Sequence, residues 1–368
     1  MNQFSTFFKA LALTLAVAGI YVTDNASACT GISFTAADGS QTMARSIEWA
    51  KGRLESHYVV VPRGHKFQSL TPEGKNGMTY DAKYGFVGVR VTFDDLIVEG
   101  LNEKGLSAGL FFFPDFGSYA EFDNTQLQKT LCDFQLVSWT LANFETVDQF
   151  LEQFSKITIT GLDPRAGAVH WRVADCSGRQ IVVEIIGGQA HVYDNPVGVL
   201  TNAPDFQWHL TNLGNYVNLL PGSGESKAFA SVSDKIQVKP LSGGSGMLGL
   251  PGDPSSPSRF VRIAVYKATA PVPADAYAAM LQSFKILESL VIPIGAVVDV
   301  NTGNPDALIT STQFTTASDM QGRKFYFRTM DNSRIRCLDL NKIDFDKVKY
   351  RSVALDEKPE QIEVLKIK

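Results

Sequence analysis

The stretch Asn25-Ala26-Ser27-Ala28-Cys29-Thr30-Gly31 decides how the rest of the chain is read. Before it, Lys9 follows a short polar start, and Ala10 to Val22 is an apolar run. Ala26-Ser27-Ala28 then has the small-x-small form that signal peptidase cuts. Cleavage after Ala28 leaves residues 29–368, with Cys29 first. A thiol and a free α-amine then share one residue. The ordinary pKa of an α-amine is about 7.7–8.0 and that of a cysteine thiol about 8.5. Near neutral pH the amine can take the proton the thiol must lose, so one residue supplies both attacker and base.

Three other readings compete for this stretch. If cleavage falls elsewhere, Cys29 is an ordinary buried or disulfide cysteine. A lipid anchor on Cys29 would block amine and thiol together. Such an anchor needs an apolar residue three before the cysteine and close to the apolar run. Here that place is Ala26, separated from the run by polar Thr23-Asp24-Asn25. A membrane anchor needs roughly 20 apolar residues, and Ala10 to Val22 is shorter. The stretch therefore predicts export, to a Gram-negative periplasm, with no membrane anchor left after cleavage.

Composition adds exclusions. The chain is 44% hydrophobic and 20% charged with net charge −4, ordinary for a globular protein with a sizeable core. No basic stripe with interleaved aromatics is present, so a nucleic-acid partner is not indicated. Cys132, Cys176 and Cys337 are widely spaced, with no CxxC. His57, His65, His170, His191 and His209 show no HExxH. Neither a metal site nor a disulfide scaffold is predicted.

Beyond Cys29 short strands alternate with tight turns. Gly31 to Ala36 and Gln41 to Ile47 flank the turn at Asp38-Gly39. Strands are expected over His57 to Pro62, Tyr84 to Val91, Leu96 to Leu101 and Leu106 to Phe113, the last two joined by a hairpin loop at Asn102 to Gly105. The spacing predicts helices over Thr125 to Phe144 and Val147 to Phe154. Strands follow at Ala168 to Val173, Gln180 to Ile186 and Val197 to Thr201, then a helical stretch over Phe206 to Leu220. Pro221 to Ser258 is rich in Gly, Ser and Pro, a length of loop that is functional or a packing arm. Helices over Phe260 to Ala270 and Ala274 to Leu290 precede strands at Ile309 to Ala317, Lys324 to Thr329 and Ile335 to Leu338. No repeat or linker divides the chain. Antiparallel hairpins at both ends with helix pairs between them predict an α+β fold of two stacked sheets flanked by helices.

Several segments resemble one family in order along the chain. They are Cys29-Thr30-Gly31, Arg45-Ser46-Ile47-Glu48-Trp49, Gly100 to Leu106, Leu200-Thr201-Asn202-Ala203-Pro204, and Leu250-Pro251-Gly252-Asp253 through Ser258-Arg259-Phe260. Ser311-Thr312-Gln313 and Leu338-Asp339-Leu340 continue the likeness. Together they resemble the choloylglycine (bile salt) hydrolases and penicillin V acylases, which are N-terminal-nucleophile amidases. The resemblance implies an αββα sandwich, a single catalytic domain over 29–368 after a signal over 1–28, no cofactor, and a homotetramer. It also implies an assembly or packing role for 221–258.

By the same resemblance Cys29 attacks an amide carbonyl, Arg45 stands near the thiol, Asn202 donates to the oxyanion and Arg259 braces the site. Each has a plainer alternative: an arginine on a solvated face, an asparagine turning the chain before Pro204, an arginine at a helix start. Two positions depart from the family pattern. Glu48 stands where an aspartate is usual, one methylene longer. Phe111 stands where bile salt hydrolases carry asparagine and penicillin V acylases tyrosine, at a point whose backbone N–H serves the oxyanion. Asn102 reads as a turn residue. Trp49, Phe112 and Phe113, with Phe111, are candidates for an apolar acyl pocket or for the core. Conjugated bile salts rank first as substrates, then penicillin V, then N-acyl homoserine lactones. A binding protein of the same fold without catalysis, with Glu48 as a sign of decay, is the reading from another class.

Overall fold

The turn at Asp38-Gly39 forms as expected. The Ser40 backbone N–H donates to Asp38 Oδ1 at 2.9 Å, and Gly39 takes φ +86°, a left-handed conformation glycine adopts without a Cβ clash. The computed structural model describes residues 28–49, 53–94, 96–162, 167–224, 235, 238–294, 296–298, 309–356 and 364–367. The expected signal lies outside these residues except for Ala28, as does part of the 221–258 loop.

Fifteen strands make two antiparallel sheets. In chain order they are β1 (Ala28–Thr35), β2 (Gln41–Trp49), β3 (Ser56–Val61), β4 (Phe86–Val91), β5 (Ile97–Asn102), β6 (Ser107–Phe112), β7 (Val169–Ala174) and β8 (Gln180–Ile186). There follow β9 (Gln189–Asp194), β10 (Val199–Leu200), β11 (Val297–Val298), β12 (Ile309–Asp319), β13 (Lys324–Thr329), β14 (Arg336–Asp339) and β15 (Arg351–Ala354). One sheet runs β10-β1-β2-β12-β13-β14, with β11 also on β12; the other runs β9-β8-β7-β6-β5-β4-β3-β15.

Helices cover the outer faces. Helix α1 (Leu136–Asn143) packs on β5 and β6, and α2 (Val147–Phe154) follows it. The short α3 (Phe206–Asn212) contacts α4 (Ser256–Thr269), which with α5 (Ala276–Glu288) lies on β1 and β2. The result is the α+β, αββα layering that the sequence led one to expect. Apolar side chains such as Phe86, Val89, Ile97 and Trp171 fill the core. Fully burying one such side chain contributes roughly 1.5–3 kcal/mol.

The expected helix over Thr125 to Phe144 is corrected. It is a 3₁₀ turn at Asn124–Lys129, a strand at Thr130–Cys132 and a 3₁₀ turn at Asp133–Gln135, with α-helix only from Leu136. Thr130–Cys132 pairs in parallel with Thr158–Thr160, and Cys132 N–H donates to Ser69 Oγ at 2.7 Å. These tertiary partners replace the intrahelical ones; of the face Leu127, Leu131, Phe134 and Val137 that helical spacing implied, the last three are buried and Leu127 is only half-buried. β9 and β15 carried no clear alternation and were not anticipated.

Candidate active site

The first hairpin builds one wall of the site. Register pairs Cys29 with Ile47 and Gly31 with Arg45, so alternation puts Cys29, Arg45, Ile47 and Trp49 on one face. That face lines an apolar cavity, open to solvent on one side, completed by Val98, Leu110 and Phe112 of the second sheet. Beyond Cys29 and Arg45, its only polar lining residue among those described is Thr92.

Asn202 joins the two sheets at the thiol. Its Oδ1 accepts the Cys29 backbone N–H at 2.8 Å and Arg259 Nη2 at 2.7 Å, and its Nδ2 donates to Phe112 O at 2.7 Å. Two donors on one atom and an acceptor on the other fix the amide orientation. Arg259, on the first turn of α4, also donates from Nη1 to Cys29 O at 2.6 Å and to Thr30 Oγ1 at 2.5 Å. The Asn202 backbone is held in turn. His209 Nε2 meets Asn202 O at 2.9 Å and His170 Nε2 meets Thr201 O at 3.0 Å. Burial depresses the His209 pKa to about 4, so the ring is neutral at pH 7.

Arg45 is fully buried. Its Nη1 donates to Leu110 O at 2.5 Å and Val98 O at 3.1 Å, and its guanidinium lies 4.2 Å over the Phe111 ring. Its Nη2 has no hydrogen-bond partner among the described residues. Burial pushes the Cys29 thiol up; Arg45 opposes that shift, Glu48 adds to it, and the Phe112 N–H and Arg259 oppose it. Glu48 lies opposite Ala28 and Thr312, on the face shared with Ser46 rather than the cavity face. Thr312 Oγ1 donates to it at 3.3 Å. Burial raises its pKa, and Arg259 is the strongest influence pulling it back.

The aromatic expectations need correction. The backbone N–H directed at Cys29 belongs to Phe112, not Phe111, because register along β6 puts Phe111 opposite His170 and leaves Phe112 at the strand end. The Phe111 side chain is wholly buried against Arg45 and does not line the cavity; Phe112 does. Phe113 is also fully buried, stacked 4.4 Å from His170, and is core rather than pocket. Trp49 lines the cavity. His57 and His65, the alternative bases, are not at the thiol: His57 sits by Arg90 and Ser352, and His65 stacks on Tyr350.

Sequence reasoning passed over Glu99 and Arg172, both buried and paired at 3.0 Å beneath Phe111. Their signal was a lone charge inside an apolar strand, in Leu96 to Leu101 and Ala168 to Val173. All four cysteines are free, and no helix among the described residues is long and apolar enough to cross a membrane.

The sequence profile described as "Linear amide C-N hydrolases, choloylglycine hydrolase family" matches residues 29–352. The chain belongs to this family and is a hydrolase of linear amides. It is 28% identical over 324 residues to a bile salt hydrolase/transferase of Clostridium perfringens, covering 86% of this chain and 94% of that protein. It is 26% identical over 344 residues to a penicillin V acylase of Pectobacterium atrosepticum, covering 86% and 82%. A solved mutant of the conjugated bile acid hydrolase from Clostridium perfringens superposes with TM-score 0.78 at 26% identity, covering 92% of this chain and 100% of that one.

Proposed function

We propose that residues 1–28 are removed on export, that Cys29 so exposed is the nucleophile, and that the substrates are conjugated bile salts. One observation carries the reading: Cys29 lies at an apolar cavity lined by both sheets, within reach of Arg45, Asn202 and the Phe112 N–H. A largely apolar cavity with few convergent polar groups suits a bulky apolar acyl group whose single amide must be oriented. The bile salt hydrolase likeness over nearly the whole chain supports the ranking, as does a family match beginning at residue 29. A single catalytic domain over 29–368, a homotetramer with 221–258 as its arm, and a periplasmic location belong to the same proposal.

The chemistry follows from the contacts. Once the Ala28–Cys29 bond is cut, the Cys29 nitrogen is a free amine. It takes the thiol proton as sulfur attacks the amide carbon. The oxyanion meets the Phe112 N–H and the second Asn202 amide hydrogen, since Phe112 O engages only one. Collapse gives a thioester and expels the amine, which leaves with the proton from the Cys29 nitrogen. Water then attacks the thioester, losing a proton to the same amine, and the thiol and a free acid are regenerated.

Penicillin V acylase activity is the second reading, favoured by the aromatic Phe112 in the cavity where a phenoxyacetyl ring would pack. The test is mass spectrometry of products after incubation with glycocholate, penicillin V and an N-acyl homoserine lactone. Fastest cleavage of glycocholate is expected. No cleavage of any, with Cys29 shown to be the first residue, would replace the enzyme reading by that of an inactive binding protein.

A further inference from the structure

We infer that Glu99 and Arg172 are positioning residues that set the charge presented to the Cys29 sulfur, acting through Arg45 and Phe111. The inference rests on the nucleophile reading above and deepens it.

Three strands of one sheet make the device. Glu99 on β5, Gly109 on β6 and Arg172 on β7 are in register as one cross-strand row. A Cβ at Gly109 would lie 2.0 Å from Glu99 Oε2, so glycine is what lets the carboxylate occupy the space above β6. From there Glu99 Oε1 accepts Arg172 Nη2 at 3.0 Å, and Oε2 stands 3.6 Å from Arg45 Nη1. Arg172 Nη1 crosses to the other sheet and donates to Ala44 O at 3.1 Å, the carbonyl just before Arg45. The Phe111 ring is within reach of both guanidinium groups, 4.2 Å from Arg45 and 5.5 Å from Arg172. On the facing β1, a Cβ at Gly31 would meet Arg172 Nη1 at 2.8 Å and Phe111 at 2.9 Å.

The cluster is buried and uneven in charge. Two arginines face one carboxylate, all with side chains at most 2% exposed. The other charged groups acting on Cys29 are Glu48 and Arg259, of opposite sign. One positive charge is left over, and Arg45 Nη2 is its end without a hydrogen-bond partner among the described residues. An unpaired buried cation is costly; the anion that completes it is the Cys29 thiolate, or the oxyanion that follows. Arg172 keeps Glu99 from neutralising Arg45, and Glu99 keeps the two arginines from repelling each other out of place.

The test measures the pH dependence of alkylation at Cys29, read by mass spectrometry of its own peptide, in wild type, Glu99→Gln, Arg172→Met and Arg172→Lys. Opposite signs are expected. Glu99→Gln removes a negative charge and lowers the alkylation midpoint; Arg172→Met removes a positive charge and raises it. Each shift should be about half a pH unit or more. Arg172→Lys keeps the charge and should stay near wild type. A purely structural role would give shifts of one sign or none, and either result overturns the inference. If Arg172→Met does not fold, a midpoint for Glu99→Gln at or above wild type still overturns it, and one below supports it. The nucleophile reading fails separately, through absent turnover by the wild-type protein.

Discussion

The Cys29 backbone nitrogen donates to Asn202 Oδ1 at 2.8 Å, across 173 residues of sequence. The same oxygen accepts Arg259 Nη2, so one asparagine carries the nitrogen proposed as base, the buried arginine beside it, and a donor for the oxyanion. Asn202→Ala should therefore lower kcat by about 10²–10³-fold. It should also cost about 1–3 kcal/mol of stability, because Arg259 loses a buried acceptor. Steady-state kinetics with chemical denaturation of the same preparation reads both.

Blocking the Cys29 nitrogen tests the base. A chain carrying one extra residue before Cys29 keeps the thiol, Arg45 and Asn202. Turnover should fall by about 10²–10⁴-fold. No histidine lines the cavity to substitute for the amine. Unchanged turnover, with the extra residue still present after the assay, would remove the amine from the mechanism.

His209 gives a pH signature. Its folded pKa of about 4 lies below the ordinary 6.5 because burial disfavours the charged ring. The unfolded chain binds more protons between these values, so stability present above pH 6.5 is lost as pH falls towards 4. Relative to His209→Gln, the wild type should lose about 3 kcal/mol across that window. Urea denaturation at a series of pH values checks the slope and its sign.

The aromatic residues separate pocket from core. Trp49→Ala should raise KM about 10-fold or more by removing apolar contact from the cavity. Phe113→Ala should instead cost about 3–5 kcal/mol of stability and leave KM unchanged, since its ring lies against His170. Kinetics and thermal melts on both variants would show the exchange if the assignment were reversed.

What was legible in the sequence was what chemistry or turn geometry demands of a residue type. Asp38-Gly39 marked a turn, and helix α2 was read to its ends. Cys29, Arg45, Asn202 and Arg259, distant in sequence, surround one thiol as the ordered segments implied. The run Phe111-Phe112-Phe113 could not be resolved, because alternation says that neighbours face opposite ways without saying which way. That answer comes from pairing with β7, a strand more than fifty residues on. Leu127, Leu131 and Phe134 have helical spacing in the sequence, yet the backbone of Thr130–Cys132 takes strand partners from Thr158–Thr160 and Leu127 and Phe134 fall in flanking 3₁₀ turns. Glu99 and Arg172 looked like single polar steps in apolar strands, and only their common row across β6 makes them a pair.

Gly31 and Gly109 carry a consequence for how variation in this enzyme is interpreted. Their contribution is the volume they leave unoccupied, which Arg172, Phe111 and Glu99 fill. A survey that trims side chains to alanine treats both as already minimal, yet at each an added methyl would meet a side-chain atom at less than 3.0 Å. One added methyl at 109 would push a carboxylate off its arginine in the facing layer beneath the thiol, and one at 31 would wedge the two sheets. Alanine at either position would have to displace buried side-chain ends that meet across the two sheets, and a scan that adds atoms rather than deleting them is the one that finds such positions.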